Sequence, residues 1–112
     1  MKLLRAIIRP EREREVVRAL ERAEIFAFTK IPVTGRGRQG GATNGALTYA
    51  ELAKIMLLLV LEDDKINRAI TIIAHAAYTG NPGDGQIFVS PIEKTVRLRT
   101  GEIYAGANAE EN

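Results

Sequence analysis

The chain is predicted to fold as one α+β domain of β-α-β-β-α-β order, with four antiparallel strands and two helices on one face. Three observations predict it. Each half of the chain reads strand, helix, strand, its apolar period passing from two to three or four and back. A glycine-rich stretch without apolar periodicity, residues 35–48, separates the halves. The length of 112 residues, 46% hydrophobic and 27% charged, suffices for one modest core and not for two.

Lys2 to Arg9 reads as the first strand, with Leu4, Ala6 and Ile8 on a clean face and Leu3, Arg5, Ile7 and Arg9 on a mixed one. Pro10 ends the ladder and suits the first turn of a helix over 11–23. Val16, Ala19, Leu20 and Ala23 form that helix's apolar stripe. Phe26 to Thr34 is the second strand, with Phe26 and Phe28 on one face and Ile31 and Val33 on the other. Pro32 cannot donate to a ladder and so calls for an edge or a bulge. Gly35 to Thr48 holds five glycines and reads as a long mobile loop, which in a compact domain is usually functional. The unbroken apolar run within 54–61 predicts a central strand buried on both faces. Asp63 or Asp64 caps the next helix, whose stripe is Ile66, Ala69, Ile70, Ile73, Ala74 and Ala77. A glycine-rich loop over 79–85, a fourth strand over 86–90, a short extended piece over 96–99 and a soluble tail over 106–112 complete the chain. This is the ferredoxin-like, split βαβ plan. It leaves one sheet face without helices, and an uncovered apolar face invites other subunits.

Composition narrows the chemistry. With no Cys, disulfides, thiolate metal sites and Cys nucleophiles are excluded. His75 is the one histidine and lies off its helix's apolar stripe, as a surface residue does. Asp63 and Asp64 are neighbours on a helix and cannot face each other as a catalytic pair. Nothing forms a nucleophile–base pair, so the chain is not expected to be an enzyme. Sixteen basic and fourteen acidic residues leave a net charge of +2, which gives nucleic-acid binding little support. Met1-Lys2-Leu3-Leu4-Arg5 imitates the start of a signal peptide, but Arg5 and Arg9 interrupt it and no cleavage site follows. The run from Ile55 to Leu61 is too short to span a bilayer. A cytoplasmic protein without a transmembrane segment is expected.

Two loops could carry function. In Thr79-Gly80-Asn81-Pro82-Gly83-Asp84-Gly85, three glycines free the backbone to turn N–H groups inward as an anion nest. A plain helix-to-strand turn needs only one. Against an anion, the loop follows a helix C-terminus, whose dipole repels negative charge; cationic side chains would have to answer it. Arg97 and Arg99 alternate by two, which puts both on one face of an extended segment. The second loop, Gly35-Arg36-Gly37-Arg38-Gln39-Gly40-Gly41, spells GxGxxG after a strand, but no helix follows, so it is not a dinucleotide fingerprint. As an RGG-type RNA element it lacks aromatics; a solvated loop is the plainer reading. Tyr49 closes the loop, or serves as a modification site or contact anchor.

The chain resembles the PII family of nitrogen-regulatory signal proteins over residues 1 to about 102. The resemblance rests on Ala6-Ile7-Ile8-Arg9-Pro10, the Gly35–Gly41 stretch, Thr79 to Val89, and Val96 to Glu102, in the family's order and spacing. It implies a homotrimer of ferredoxin-like subunits with nucleotide sites between neighbours, the uncovered sheet face lining the trimer centre. Residues 36–53 correspond to the family's T-loop, which docks on targets; the nucleotide loop spans 79–86, and 103–112 is a C-terminal tail. Matching positions put adenine near Ile7, Thr29, Gly35 and Val60. They put the phosphates of ATP or ADP on Gly37, Arg38, Thr79, Gly83, Asp84, Gly85, Gln86, Arg97 and Arg99. Gln39 would meet Mg²⁺ and 2-oxoglutarate, with Arg9, Gly41 and Lys54 completing the effector site. Arg36, Thr43, Asn44 and Tyr49 would contact the target. Three departures stand out. Gln86 replaces the family's usual Lys, the T-loop is short with Tyr49 out of line with the uridylylated tyrosine, and Glu24 replaces a Gly, so that helix cap must close differently.

Ala76 to Gly80 and Tyr49 to Lys54 look like the PII-like proteins of nitrogen-fixation operons, which act with a second paralogue on nitrogenase. The expected target is thus a protein such as nitrogenase or an ammonium transporter. Rival readings are a diverged relative sensing ADP, AMP or another small anion, a nucleic-acid-binding ferredoxin-like module, and a small ATPase whose base could only be Asp84. The nucleic-acid module would need sheet-face aromatics, and aromatics make up only 5% of the chain.

Overall fold

The computed structural model describes residues 1–43 and 46–105, with side chains for 1–36 and 51–105. Asn44 and the tail from residue 106 lie outside the described residues. Strand β1 (Lys2–Ile8) leads through a 3-10 turn (Pro10–Arg12) into helix α1 (Glu13–Arg22). Then come β2 (Thr29–Thr43) and β3 (Ala46–Leu61). A second 3-10 turn (Asp63–Lys65) opens α2 (Ile66–Ala77), which β4 (Gly85–Pro91) follows. Two short strands, β5 (Thr95–Val96) and β6 (Ile103–Tyr104), pair with each other.

The main sheet has the order β2-β3-β1-β4 with every neighbour antiparallel, the ferredoxin-like arrangement. Its helix-side face is the one the strand alternation foretold: Leu4, Ala6, Ile8, Leu57 and Leu59 are buried there against Val16 and Leu20 of α1 and Ile66, Ala69, Ile73 and Ala77 of α2. Burying each larger side chain contributes about 1.5–3 kcal/mol relative to exposure. Pro32 sits on β2, the edge strand, where its missing donor costs no ladder bond.

Five expectations are corrected. The second strand begins at Thr29, not Phe26, because Phe26 is exposed in the connection after α1 while only Phe28 packs toward the core. The segment 35–48 is not an irregular loop. β2 and β3 continue past the sheet as a two-stranded ribbon, Gly35 opposite Leu52 and Arg38 opposite Tyr49, with a register shift between Arg38 and Ala42. Backbone pairing needs no apolar side chains, so hydropathy could not reveal it. The apolar burial of the central strand β3 is complete on one face alone, at Leu57 and Leu59; Val60 on the other face is about half exposed. Neither Asp63 nor Asp64 caps α2 through its side chain: Asp63 instead accepts from the Met1 ammonium at 2.6 Å, which holds its carboxyl below the usual range.

The fifth correction concerns Glu24. The cap of α1 closes as a glycine would close it: Glu24 adopts φ +62°, its N–H donates to the Glu21 carbonyl, and that of Ile25 to the Leu20 carbonyl, both at 2.9 Å. This is the Schellman pattern, with Ile25 buried beside Leu20 in the core.

Candidate functional site

One end of the sheet gathers the densest polar cluster among the described residues. β1 ends at Ile8 opposite Gly85, the first residue of β4, and opposite Ile55 of β3. Arg9 and Lys54, next along those strands, therefore reach the same place, the loop 79–85. Arg9 donates through Nε to Asp84 Oδ1 at 2.9 Å and through Nη2 to the Pro82 carbonyl at 2.7 Å. Lys54, the one buried charged side chain among the described residues at 8% exposed, donates Nζ to the Gly83 carbonyl.

The Asp84 carboxylate accepts the backbone N–H groups of Thr79 and Gly80 at 2.8 and 2.9 Å, and the Thr79 hydroxyl. The Thr79 hydroxyl and N–H, then Arg9, hold it far below the ordinary carboxylate value. Of the N–H groups foreseen as an anion nest, those of Thr79 and Gly80 are taken by the chain's own Asp84 and that of Asn81 by the Thr79 hydroxyl. A Thr and an Asp flanking glycines were the available signal, since such side chains close loops on their own backbone.

Gly85 is obligatory: at φ +112°, a Cβ would lie 1.8 Å from the Ile7 carbonyl oxygen. Gly83, at φ +97°, leaves space into which a Cβ would project 3.4 Å from the Arg9 guanidinium and 3.5 Å from the Lys54 ammonium. A backbone stripped to glycine beside two cations is a fit for an anion. Against the loop lies a groove of about 250 Å³, lined chiefly by Ile7, Ile73, Ala77, Tyr78 and Gln86. The carbonyl end of α2 is answered from elsewhere, Arg12 donating two hydrogen bonds to the Ala76 carbonyl at 2.7 and 3.0 Å.

The other foreseen residues are not all brought here. Ile7 and Gln86 face each other across β1 and β4, but Thr29 lies opposite Leu58, and Val60 opposite Leu3 near the far end of β1. Along β3, Leu52, the partner of Gly35, and Val60 are about 26 Å apart at strand rise, more than an adenine ring can bridge. Arg97 shares with Val60, Met1 and Tyr104 a separate groove of about 480 Å³, its Nε 3.9 Å from Glu102. Arg97 and Arg99 do not alternate along a strand: residues 98–100 form a turn that reverses the chain from β5 to β6. Arg36, Gly37, Arg38, Gln39, Gly41 and Thr43 lie on β2 and Tyr49 on β3. Arg38, Gln39, Thr43 and Tyr49 have side chains outside the described set, as does all of Asn44. His75 is exposed, as its place off the stripe foretold. Among the described residues no helix is long and apolar enough to cross a membrane, and no cluster of His, Asp or Glu is arranged to hold a metal ion.

Comparison with known proteins places this geometry in context. Residues 1–102 match the family model described as nitrogen regulatory protein P-II. A nitrogen fixation nifHD2 region GlnB-like protein 1 of Methanosarcina barkeri is 48% identical over 102 residues, 91% of this chain and 97% of that protein. A nifHD region counterpart in Methanobacterium ivanovii is 49% identical over 100 residues, 89% of this chain and 95% of the relative. A nitrogen regulatory protein P-II of Azospirillum brasilense is 44% identical over 106 residues, with 91% and 95% coverage.

Proposed function

The chain belongs to the nitrogen regulatory protein P-II family, and from that premise we propose that it is a trimeric sensor binding ATP or ADP between subunits, with 2-oxoglutarate and Mg²⁺ as co-ligands, and acting on a protein target through the β2–β3 ribbon. The names of its relatives favour nitrogen fixation as the setting. The proposed target is nitrogenase or an ammonium transporter, and the proposed co-subunit a second paralogue.

The observation that carries this reading is the convergence of Arg9 and Lys54 on the glycine loop through Asp84 and the Pro82 and Gly83 carbonyls. Two cations beside a backbone without side chains suit phosphate and carboxylate groups. The distance from this cluster to Val60 and Arg97 supports a site shared by neighbouring subunits: a second chain would bring its far end of the sheet to this one's loop. In that arrangement Lys54 and Arg9 bind the carboxylates of the effector, Gly83 and Gly85 admit the phosphates closely, and Asp84 keeps the loop shaped. Mg²⁺, when bound with ATP, would neutralise phosphate charge near Gln39.

Calorimetry with ATP, ADP and AMP, each with and without 2-oxoglutarate and Mg²⁺, tests the proposal. Saturable ATP or ADP binding, with 2-oxoglutarate binding only in the presence of Mg²⁺-ATP, is expected. No heat with any nucleotide would remove the sensor reading while leaving the family assignment intact.

A further inference from the structure

The helical face carries a surface the nucleotide reading does not use. Between α1 and α2 runs a groove of about 540 Å³ whose floor is Ala19, Ile72 and Ala76 and whose rim includes Arg12, Arg18 and Arg22. Helix α1 carries charges of both signs on each flank. Its flank toward β2 carries Glu13, paired with Lys30 at 2.7 Å, together with Arg14 and Glu21. Its flank toward α2 carries Arg18 and Arg22 beside Glu15, with Arg12, just before the helix, on the same side. Arg12 is committed to the Ala76 carbonyl. Arg18 and Arg22 are exposed, and among the described residues neither has an ion-pair or hydrogen-bond partner, although α1 alone holds three glutamates.

We propose that this groove docks an acidic amphipathic helix of a partner protein. Charge complementarity selects an acidic occupant for the arginine rim. The small, apolar floor selects one that also brings aliphatic side chains, because two antiparallel helices with Ala at their contact leave a trough that a third helix's ridge fills. α1 has ten residues and is about 15 Å long, so the occupant engages over two to three turns. A nucleic-acid strand fits less well, since no Phe, Tyr or Trp lines the groove for base stacking. The surface lies on the helical layer and shares no lining residue with the groove at the glycine loop, so a partner here could be held while that groove and the ribbon remain free.

The test uses the full chain and a fluorescent helical peptide with Glu on one face and Leu on the other, titrated by anisotropy at low and raised salt. Binding that weakens with salt is expected. Arg18→Glu and Arg22→Glu should each weaken it about three- to tenfold, with Arg18→Ala and Arg22→Ala weaker in effect but in the same direction. Lys94→Glu, an equal charge change on an exposed loop, should leave affinity unchanged. The proposal is overturned if the peptide does not bind, or if Lys94→Glu costs as much as the groove substitutions. It also fails if single-stranded RNA outcompetes the peptide. If light scattering shows the Glu variants lowering the protein's own mass, the groove's occupant is a second copy of this chain and the proposal is again overturned.

Discussion

Single backbone positions do much to shape the candidate site and its supports. Gly85→Ala forces a Cβ against the Ile7 carbonyl at a left-handed φ, and we expect a loss of about 3 kcal/mol or more in urea unfolding; a loss under about 1 kcal/mol would mean β4 can shift away from β1 at little cost. Glu24 shows the reverse. It holds φ +62° with a Cβ, so Glu24→Gly should stabilise the domain by about 1 kcal/mol, read as a raised urea midpoint at unchanged slope. Asp84 has a folded pKa below its ordinary 3.8. Its contribution is therefore fully present above that value and lost as pH falls through the lower folded one. Asp84→Asn should lower the melting temperature by a constant amount from neutral pH down to about that ordinary value, the gap to the parent closing only in stronger acid; a gap that closes earlier would place the charge elsewhere. Gln86, at the mouth of the groove beside the loop, supplies a donor but no charge. Gln86→Lys should raise affinity for ATP over ADP roughly tenfold or more, because the outermost phosphate gains a charge-assisted hydrogen bond. Equal gains for both nucleotides would refute that argument.

At the scale of elements, the ribbon and the helices were legible to different degrees. The α2 stripe was readable because burial imposes the helical period: Ile66, Ala69, Ile73 and Ala77 are buried as spaced, while Ala74 alone of that set is exposed. The outer ribbon had no such signal. Its strands pair with each other beyond Gly35 and Leu52, and its described side chains, Arg36, Glu51, Leu52 and Ala53, are exposed, none of them in the core. Removing residues 42–47 and rejoining the strands with a short turn should therefore move the melting temperature by no more than a few degrees, as followed by circular dichroism, while target binding is lost. A large drop in melting temperature would show that the tip packs on the domain.

For the whole molecule, the sheet's helix-free face sets the expectation. Val60 and Phe88 are about half exposed there, and Leu98, Ile103 and Tyr104 add apolar surface on the terminal hairpin. A second and third copy would cover them, so light scattering should return three times the chain mass and Phe88→Asp a lower mass at unchanged helix content. A monomeric parent would sink both the trimer and the shared site. The sequence by itself determined the element order, the helix-side core and the restriction of Pro32 to an edge or a bulge, because burial and the proline ring act through local spacing that any single chain displays. It determined the family too, through residues held in fixed order around two glycine loops. Tertiary structure alone decided the rest. That Asp84 turns into its own loop, that Lys54 is buried against the Gly83 carbonyl, that Glu24 takes the left-handed cap and that Arg97 lies at the opposite end of the sheet from Arg9 all depend on which distant backbone atoms come to lie beside each side chain. Strand register sets those neighbours, and hydropathy constrains register only where a face is buried.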